Sequence, residues 1–569
     1  MIAMKQKNRK SIISKRLWII LPLFLLLSLS VQAQPKWAKK ASKSVFTLKT
    51  FAADGTLTGS STGFFVGEQG EAISSFSPFK GASRAIVVDA EEKEYEVACL
   101  LGANEMYDVA KFRVDIKKPQ VLPMSAAALS EGVNVWLLPY RELKKVPEGV
   151  VRKAETFQEY YSYYTVAMQM PETAVGAPLL NENGEVVGLM QQPSSAADTL
   201  SYAVSVIFAD SLKISGLSIN DAVMRSTHIK KAIPTDLGQA QLALFLGVQS
   251  LDSAAYATLV DDFVAQFPNE PDGYICRAEL SADGNRFEEA DQSMEQALKV
   301  SQKKDETHYS YSRLIYQKLL YKNGVAYEPW TLERSLQEVN KAYDLNPMPT
   351  YLHQKALVLY SMKKYQEAFD DYTKLSQSDM RSADIFFEAS RCQLMMGDTL
   401  RQLAMLDSAV ALFSRPYLRE AAPYILARAQ ARLDAKKYRE AVADLNDYEE
   451  LMRSQLTANF YYLRFQADMG GRLFQQALND IDKAISMEPK HDLYYAEKAS
   501  LQVRVGLYDD AMVTARKCIE VYPEGSDGYL FLGVAQCQKG QKQEGLKNLQ
   551  KAKELGDPQA DGLIERYSK

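Results

Sequence analysis

The sequence predicts an all-β N-terminal half followed by an all-α half built from repeats. From Ser44 to about Val206, short β-branched or aromatic runs such as VFTLKTFA and RAIVVDA alternate with turn-forming residues. After about Thr235 the apolar residues change to helical spacing, and the pattern recurs about every 34 residues. A chain of 569 residues has room for about two to four domains.

The first 33 residues have the pattern of a secretory signal peptide. Residues 1–16 are basic, the 15 residues Leu17–Val31 are almost entirely apolar, and Val31-Gln32-Ala33 is a small-residue cleavage site. A membrane span needs about 20 apolar residues, so this run is short for one. We expect cleavage after Ala33 and export to the periplasm or outer cell envelope. An uncleaved N-terminal anchor or a buried helix are the alternatives.

Composition and charge exclude several classes of function. The chain carries 67 basic and 71 acidic residues, a net charge of −4. Six of the basic residues and no acid lie in the first 33 residues, so the remainder carries −10. A chain this acidic lacks the electrostatic pattern of a general nucleic-acid binder. Neither GxGxxG nor GxxxxGK[ST] occurs, so no nucleotide cofactor is expected.

Histidine and cysteine are scarce and scattered. The four histidines are His228, His308, His353 and His491, and none belongs to an HExxH motif, so no metal site is expected. The cysteines form no CxxC pair and their number is odd, which is not the pattern of a disulfide framework. We expect most of them to be buried in the core, with a bridge between Cys518 and Cys537 as a minor alternative.

The strand-rich segment predicts a β-sandwich or a pair of barrels, because many short strands are separated by turns. Four tyrosines, Tyr160, Tyr161, Tyr163 and Tyr164, lie in one of these strand-like runs. We expect half of them to be core, and the exposed half could form a contact surface.

The helical half repeats with matching offsets. Pro489 and Pro523 are 34 residues apart, as are Ala477 and Ala511. An aromatic residue precedes Ala by three positions in five units, at Phe287/Ala290, Tyr365/Ala368, Tyr438/Ala441, Phe474/Ala477 and Tyr508/Ala511. This pattern resembles the tetratricopeptide repeat, in which small residues let two helices approach closely and Pro ends the unit. Residues 236–569 have room for about nine units, with an insertion near 309–347.

Three segments of the strand-rich half resemble trypsin-like serine proteases, especially the bacterial periplasmic type. They are STGFFVGEQGEAISSFSPFKGA (61–82), DVAKFRVD (108–115) and TAVGAPLLNENGEVVGLM (173–190). The resemblance covers about residues 38–215 and implies two six-stranded β-barrels with a cleft between them. Residues 216–235 are expected to be a linker.

Matched residue by residue, the resemblance places Ser77 at the position of the catalytic His, Asp108 at that of the Asp and Val175 at that of the Ser. Thr173 and Ala177 replace two glycines of the loop that forms the family's oxyanion hole. The site would then lack its base and its nucleophile. We therefore expect a pseudoprotease domain with no catalytic activity, in which Asp108 is a structural hydrogen-bond acceptor.

Other arrangements of residues could supply an activated nucleophile in this segment. No histidine lies between Ser44 and Arg225, so no Ser–His or Cys–His pair can form within this segment. Cys99 lies in a strand-like run, where core packing is the simpler interpretation. A Ser–Lys dyad is conceivable, because three serines, Ser74, Ser75 and Ser77, neighbour Lys80.

These observations predict a non-catalytic scaffold of the cell envelope that binds partner proteins or peptides. Tetratricopeptide repeats bind protein segments in a groove, and a protease-like cleft without its triad could still hold an extended peptide. The alternatives are a secreted trypsin-like endopeptidase that uses its repeats to deliver substrate, and a purely structural envelope spacer. No cofactor is implied, and we expect contact with a membrane only by association with other molecules.

Overall fold

The structure, a computed structural model, describes residues 35–141, 146–193, 199–322 and 324–569. The described residues form two compact units, which divide between Leu280 and Ser281. The first contains every strand of the described ranges, and the second contains most of the helices. The predicted signal peptide, residues 1–33, lies outside the described residues.

The first barrel is closed, with strand order β1-β2-β3-β6-β5-β4 and antiparallel pairing throughout. Its interior is aromatic: Phe46 contacts Phe65 and Phe112, with ring centroids 4.8 and 6.2 Å apart, and all three rings are buried. The strands are β1 (Val45–Phe51), β2 (Leu57–Phe65), β3 (Glu71–Ser74), β4 (Arg84–Val88), β5 (Glu94–Asn104) and β6 (Val109–Val114).

The second barrel is also closed, with strand order β10-β11-β12-β9-β8-β7. Its strands are β7 (Asn134–Leu137), β8 (Glu148–Phe157), β9 (Tyr161–Ala167), β10 (Pro178–Leu180), β11 (Val186–Met190) and β12 (Leu200–Ser205). One apolar cluster contains buried residues from both barrels, including Phe64 and Ile73 of the first and Leu189 and Val204 of the second. This shared core holds the two barrels together.

Part of the segment predicted as a linker, residues 216–235, is hydrogen-bonded to the first barrel. The amide of Gly81 donates to Ser226 O (2.8 Å), and the amide of His228 donates to Ala82 O (2.9 Å). Leu100 exchanges backbone hydrogen bonds with Lys230 and Ala232, both 2.8 Å long. The segment includes two short helices, Gly216–Ile219 and Ala222–Arg225, and it is a packed part of the first unit.

Helices follow in pairs. The first unit contains α1 (Leu237–Ser250), α2 (Ser253–Gln266) and most of α3 (Pro271–Asp283). The second unit contains α4 (Phe287–Val300), α5 (Lys304–Tyr321), α6 (Leu332–Leu345), α7 (Pro349–Ser361), α8 (Tyr365–Leu375), α9 (Ala383–Met396), α10 (Thr399–Val410), α11 (Ala422–Asp434), α12 (Tyr438–Met452), α13 (Ala458–Gly471), α14 (Phe474–Met487), α15 (Asp492–Arg504), α16 (Tyr508–Val521), α17 (Ser526–Gln538), α18 (Lys542–Glu554) and α19 (Ala560–Ser568). Within the described residues of the second unit, α5 to α18 make seven consecutive pairs and α19 follows them.

The repeat motif coincides with these helices. The aromatic residue of each motif is the first residue of α4, α8, α12, α14 and α16, and the alanine three positions later is fully buried in all five. The predicted fold class, two β-barrels followed by a helical repeat region, is confirmed. No helix within the described residues is both long and apolar enough to cross a membrane.

Candidate functional site

The predicted site residues Ser77 and Asp108 lie together where two neighbouring strands of the first barrel meet. β3 pairs with β6, with Ser74 opposite Ala110, so the end of β3 and the start of β6 fall at the same edge. Ser77 opens a short 3-10 turn after β3, and Asp108 immediately precedes β6. Asp108 has a φ of 45°, a left-handed conformation that Asp tolerates better than most residues.

The Asp108 carboxylate binds Ser77 twice. The Ser77 amide and the Ser77 hydroxyl both donate to Asp108 Oδ1, over 2.6 and 2.7 Å. The amide of Phe76 also donates to the Asp108 carbonyl, over 3.3 Å. A carboxylate in this position orients a base when the neighbour is an imidazole. Here the neighbour is an alcohol, and Asp108 anchors the turn that carries it.

Val175 belongs to a loop that contacts a different group of residues. The Thr62 amide donates to Val175 O (2.9 Å), and the Thr62 hydroxyl donates to Thr173 O (2.8 Å). Val175 is 9% exposed and packs in the apolar core of the second barrel. Within the described ranges no hydrogen bond joins Val175 to Ser77 or Asp108.

Two buried serines face this loop. A Cβ placed on Gly176 would lie 3.2 Å from Ser75 Oγ and 3.3 Å from Ser74 Oγ, so the loop passes directly over both hydroxyls. The Ser74 hydroxyl donates to Thr62 O (2.7 Å), whereas Ser75 Oγ is buried and has no hydrogen-bond partner among the described residues. The sequence did not single out this contact, because its partners are about 100 residues apart.

The backbone amides of the loop are already engaged. The amide of Ala174 donates to Pro171 O (2.9 Å) and that of Val175 to Glu172 O (3.3 Å), because Glu172–Ala174 is a 3-10 turn. The amides of Gly176 and Ala177 donate to Met190 O (2.9 Å) and Ala174 O (3.0 Å). An oxyanion hole needs amides that point at the reacting oxygen, and these four amides bind carbonyls of the chain itself.

Lys80 and the histidines, which are the other candidate bases, lie away from this loop. The Lys80 ammonium pairs with Glu105 Oε1 over 2.6 Å, so its charge is directed at a carboxylate and not at a serine. His228 is fixed to the first barrel through its backbone, although the sequence placed it outside the β domain. His308 and His353 pair with Glu338 (2.5 Å) and Glu388 (2.8 Å) on repeat helices.

The cysteines are free. Cys518 and Cys537 are not bonded to each other, so the minor alternative of a disulfide between them is wrong. Burial raises the pKa of the Cys99 thiol and raises that of Cys518 to about 11, so both are thiols near neutral pH. Within the described residues no three His, Cys, Asp or Glu side chains are grouped as metal ligands.

An aromatic cluster lies next to Asp108. Tyr107 stacks on Phe157 at 4.4 Å between ring centroids, and Phe208 meets both rings edge-on. Tyr161, across the β8–β9 hairpin from Phe157, completes the cluster at 5.2 Å from Phe208. The tyrosines of the predicted run therefore differ in their surroundings. Tyr161 packs between the barrels, and Tyr164 is buried.

The exposed end of that run is Tyr160, which is 82% exposed at the hairpin tip. Tyr163 is half-buried and stacks on Tyr202 at 6.2 Å, and burial raises its pKa. Of the four tyrosines, Tyr160 is the one whose side chain is mostly exposed.

Residues 61–189 match the family model for the trypsin-like peptidase domain. The matched range contains Ser77, Asp108 and Val175. The domain is therefore identified by its sequence as well as by its two barrels.

Curated relatives include the Hsp70-Hsp90 organizing protein of Triticum aestivum, 23% identical over 223 residues, which are 37% of this chain and 36% of that protein. The small glutamine-rich tetratricopeptide repeat-containing protein 2 of Saccharomyces cerevisiae is 25% identical over 22% of this chain and 36% of its own length. The chain thus matches little more than a third of the length of these relatives.

Among solved structures, the serine endoprotease from Yersinia pestis is 16% identical to this chain. The match covers 34% of this chain and 68% of the endoprotease chain, with a TM-score of 0.28. The predicted resemblance to a trypsin-like domain followed by tetratricopeptide repeats is confirmed by the family model and the curated relatives.

Proposed function

We propose that the chain is a non-catalytic protein-interaction scaffold of the cell envelope. It binds partner proteins or peptides through its repeats, and its inter-barrel cleft could hold an extended peptide. The observation that carries the non-catalytic part is the pairing of Ser77 with Asp108, where the family has an imidazole. An alcohol does not accept a proton usefully near neutral pH, so no base is available there.

Two further observations support the loss of chemistry. Val175 has no nucleophilic atom, and it is packed in the core of the second barrel. The amide of Val175 is bonded to Glu172 O, so that donor is not directed at a reacting oxygen. Nucleophile, base and oxyanion donors act as a unit, so the loss of all three leaves little basis for turnover.

The repeats and the relatives support the binding part. Helix pairs of this type present extended surfaces to protein segments. The name of one relative describes it as an organizing protein for Hsp70 and Hsp90, and another is named for its tetratricopeptide repeats. We transfer from these names only the general class of partner, which is protein.

Catalysis is tested on the purified mature chain with a broad peptide library and a fluorophosphonate probe. We expect neither turnover nor labelling, and the variant Val175→Ser alone should remain unlabelled because Ser77 cannot activate it. Trypsin serves as the positive control. Turnover that disappears when Ser74, Ser75 or Ser77 is changed to Ala would instead support the endopeptidase alternative.

Binding is tested by affinity capture with the full chain from envelope fractions, followed by cross-linking and mass spectrometry. Partner cross-links that fall on residues 236–569 support the scaffold, and cross-links near Ser77 and Val175 support peptide binding in the cleft. An exported protein of similar size and charge is the control bait. If the chain retains no protein beyond this control, the structural spacer is the better description.

A further inference from the structure

A cavity of about 340 Å³ lies within the first unit, between the segment that follows the barrels and helices α1 and α2. Its lining does not include Ser77, Asp108 or Val175, so it is separate from the protease-like site. Sites for small molecules have volumes of about 300–1,000 Å³ and mainly apolar walls. Ile214, Met224, Leu251 and Leu259 provide such walls here.

The charged residues of the lining are mainly basic. Arg225, Lys230 and Lys231 face a single acid, Asp262. Asp262 is already paired with Lys230, over 2.8 Å. In the part of the chain that the structure describes, Arg225 and Lys231 form no ion pair, so the cavity has unbalanced positive charge.

Lys231 is the most constrained of these bases. It is only partly exposed, and its ammonium donates to a single carbonyl, Thr227 O, over 2.6 Å. Its backbone is fixed by the bridge to Leu100 of β5 and by the adjacent hydrogen bond between Ala232 and Leu100. Burial lowers the pKa of Lys231, since the charged form has lost water without gaining an anion. A bound anion would supply that missing partner.

We propose that this cavity binds a small amphipathic carboxylate, with its alkyl chain against the apolar walls and its anionic group near Arg225 and Lys231. A cationic amphiphile fits poorly, because the only acid of the lining is held by Lys230. An uncharged alcohol would gain the apolar contacts but not the ionic ones. The proposal is independent of the scaffold function.

The ligand class is tested by titration calorimetry of the full mature chain with three probes of equal chain length. These are dodecanoate, dodecanol and dodecyltrimethylammonium, each below the concentration at which it aggregates. We expect dodecanoate to bind about tenfold or more tightly than dodecanol, and the ammonium compound to bind most weakly. Equal affinity for the three probes would overturn the proposal.

The ionic contacts are tested with the double variant Arg225→Gln/Lys231→Gln. We expect it to lose about tenfold or more in affinity for dodecanoate while its affinity for dodecanol stays unchanged. Lys213→Gln removes a nearby exposed charge that does not line the cavity, and it should bind as the wild type does. Unchanged dodecanoate binding in the double variant would contradict the assignment.

The position is tested with a matched pair on α2. Ala255 lines the cavity and is exposed, so Ala255→Trp should fill the opening and abolish binding of dodecanoate and dodecanol alike. Ala254, also exposed, does not line it, and Ala254→Trp should leave binding unchanged. Melting curves identify any variant that fails to fold. Wild-type binding by Ala255→Trp would show that the ligand lies elsewhere.

Discussion

Asp468 on α13 is a buried carboxylic acid without a hydrogen-bond partner. It is 1% exposed, and neither carboxylate oxygen is bonded within the described residues. The nearby guanidinium of Arg464 is engaged by Asp480 (2.6 Å) and Glu449 (2.6 Å). Burial, and then the charge of Asp480, raise the pKa of Asp468 to about 7.

This raised pKa makes stability fall as pH rises. Between the ordinary pKa of 3.8 and about 7, the folded protein holds a proton on Asp468 that the unfolded chain releases. The contribution is therefore complete below pH 3.8 and is lost as pH rises through 7. Asp468→Asn removes the ionisation, so we expect it to stabilise the repeats by about 1–2 kcal/mol at pH 8.

The measurement is urea unfolding of both proteins at pH 5 and pH 8. The gain should be less than half as large at pH 5, because the unfolded chain has lost the Asp468 proton there while the folded protein still holds it. Asp482→Asn is the control, because this exposed carboxylate has a partner in Lys498 (2.5 Å) and its loss should not stabilise at pH 8. A pH-independent difference between wild type and Asp468→Asn would contradict the assignment.

Ala511 on α16 shows how little space the repeat motif leaves. It is fully buried, in one cluster with Ala499, Leu532 and Ala535. We expect Ala511→Leu to overpack this contact and to cost about 1–3 kcal/mol. Hydrogen exchange of α16 in the full chain measures the loss, and Val513→Leu, at a position 67% exposed on the same helix, should change nothing. Unchanged protection of α16 in Ala511→Leu would show that the helix can shift to accept the larger side chain.

The connection between α5 and α6 is fixed to α4 by one carboxylate. Asp291 accepts hydrogen bonds from Trp330 Nε1 (2.7 Å), from the Tyr327 hydroxyl (3.2 Å) and from the Tyr311 hydroxyl. Trp330 is 2% exposed and packs at 5.6 Å from the Phe287 ring. Trp330 is therefore packed against the helices of the repeat region.

Replacing this acceptor should release the connection. We expect Asp291→Ala to lower the free energy of unfolding by about 2–4 kcal/mol, because two buried donors and the partly exposed Tyr327 hydroxyl lose a charged acceptor. The emission of Trp330 should shift to longer wavelength as its ring becomes exposed. Glu295→Ala, an exposed acid on the same helix, is the matched control. Unchanged emission and stability in Asp291→Ala would show that the aromatic packing alone holds the connection.

The helical repeats were predictable because their contacts are local and periodic. A motif residue such as Phe474 or Tyr508 begins its helix because the same short-range packing recurs in each unit. Ser77 and Asp108 each belong to a short sequence motif next to a strand. The two motifs together indicate that these residues meet. The contact of Gly176 with Ser75 and the docking of His228 on the first barrel join distant segments, and no period or spacing marks them.

Export of the whole molecule is also predicted by the sequence. The small-residue site Val31-Gln32-Ala33 follows the apolar run Leu17–Val31, and a signal peptidase accepts only small residues at the last position before the cut. We expect the chain recovered from envelope fractions to begin at Gln34, as measured by intact mass and N-terminal peptides. Its charge would then be −10 instead of −4, because the removed segment is purely basic.

The matched test is Ala33→Trp. A large ring at this position should block cleavage and leave a longer, membrane-associated precursor, whereas Lys36→Gln lies beyond the cut and should be processed normally. Location distinguishes the outcomes: the wild-type chain should be released from opened envelopes by salt or mild washing, and Ala33→Trp should require detergent. A wild-type chain that retains Met1 and also requires detergent would mean that Leu17–Val31 acts as an anchor. The repeats would then present their binding surface at the membrane and not free in the envelope.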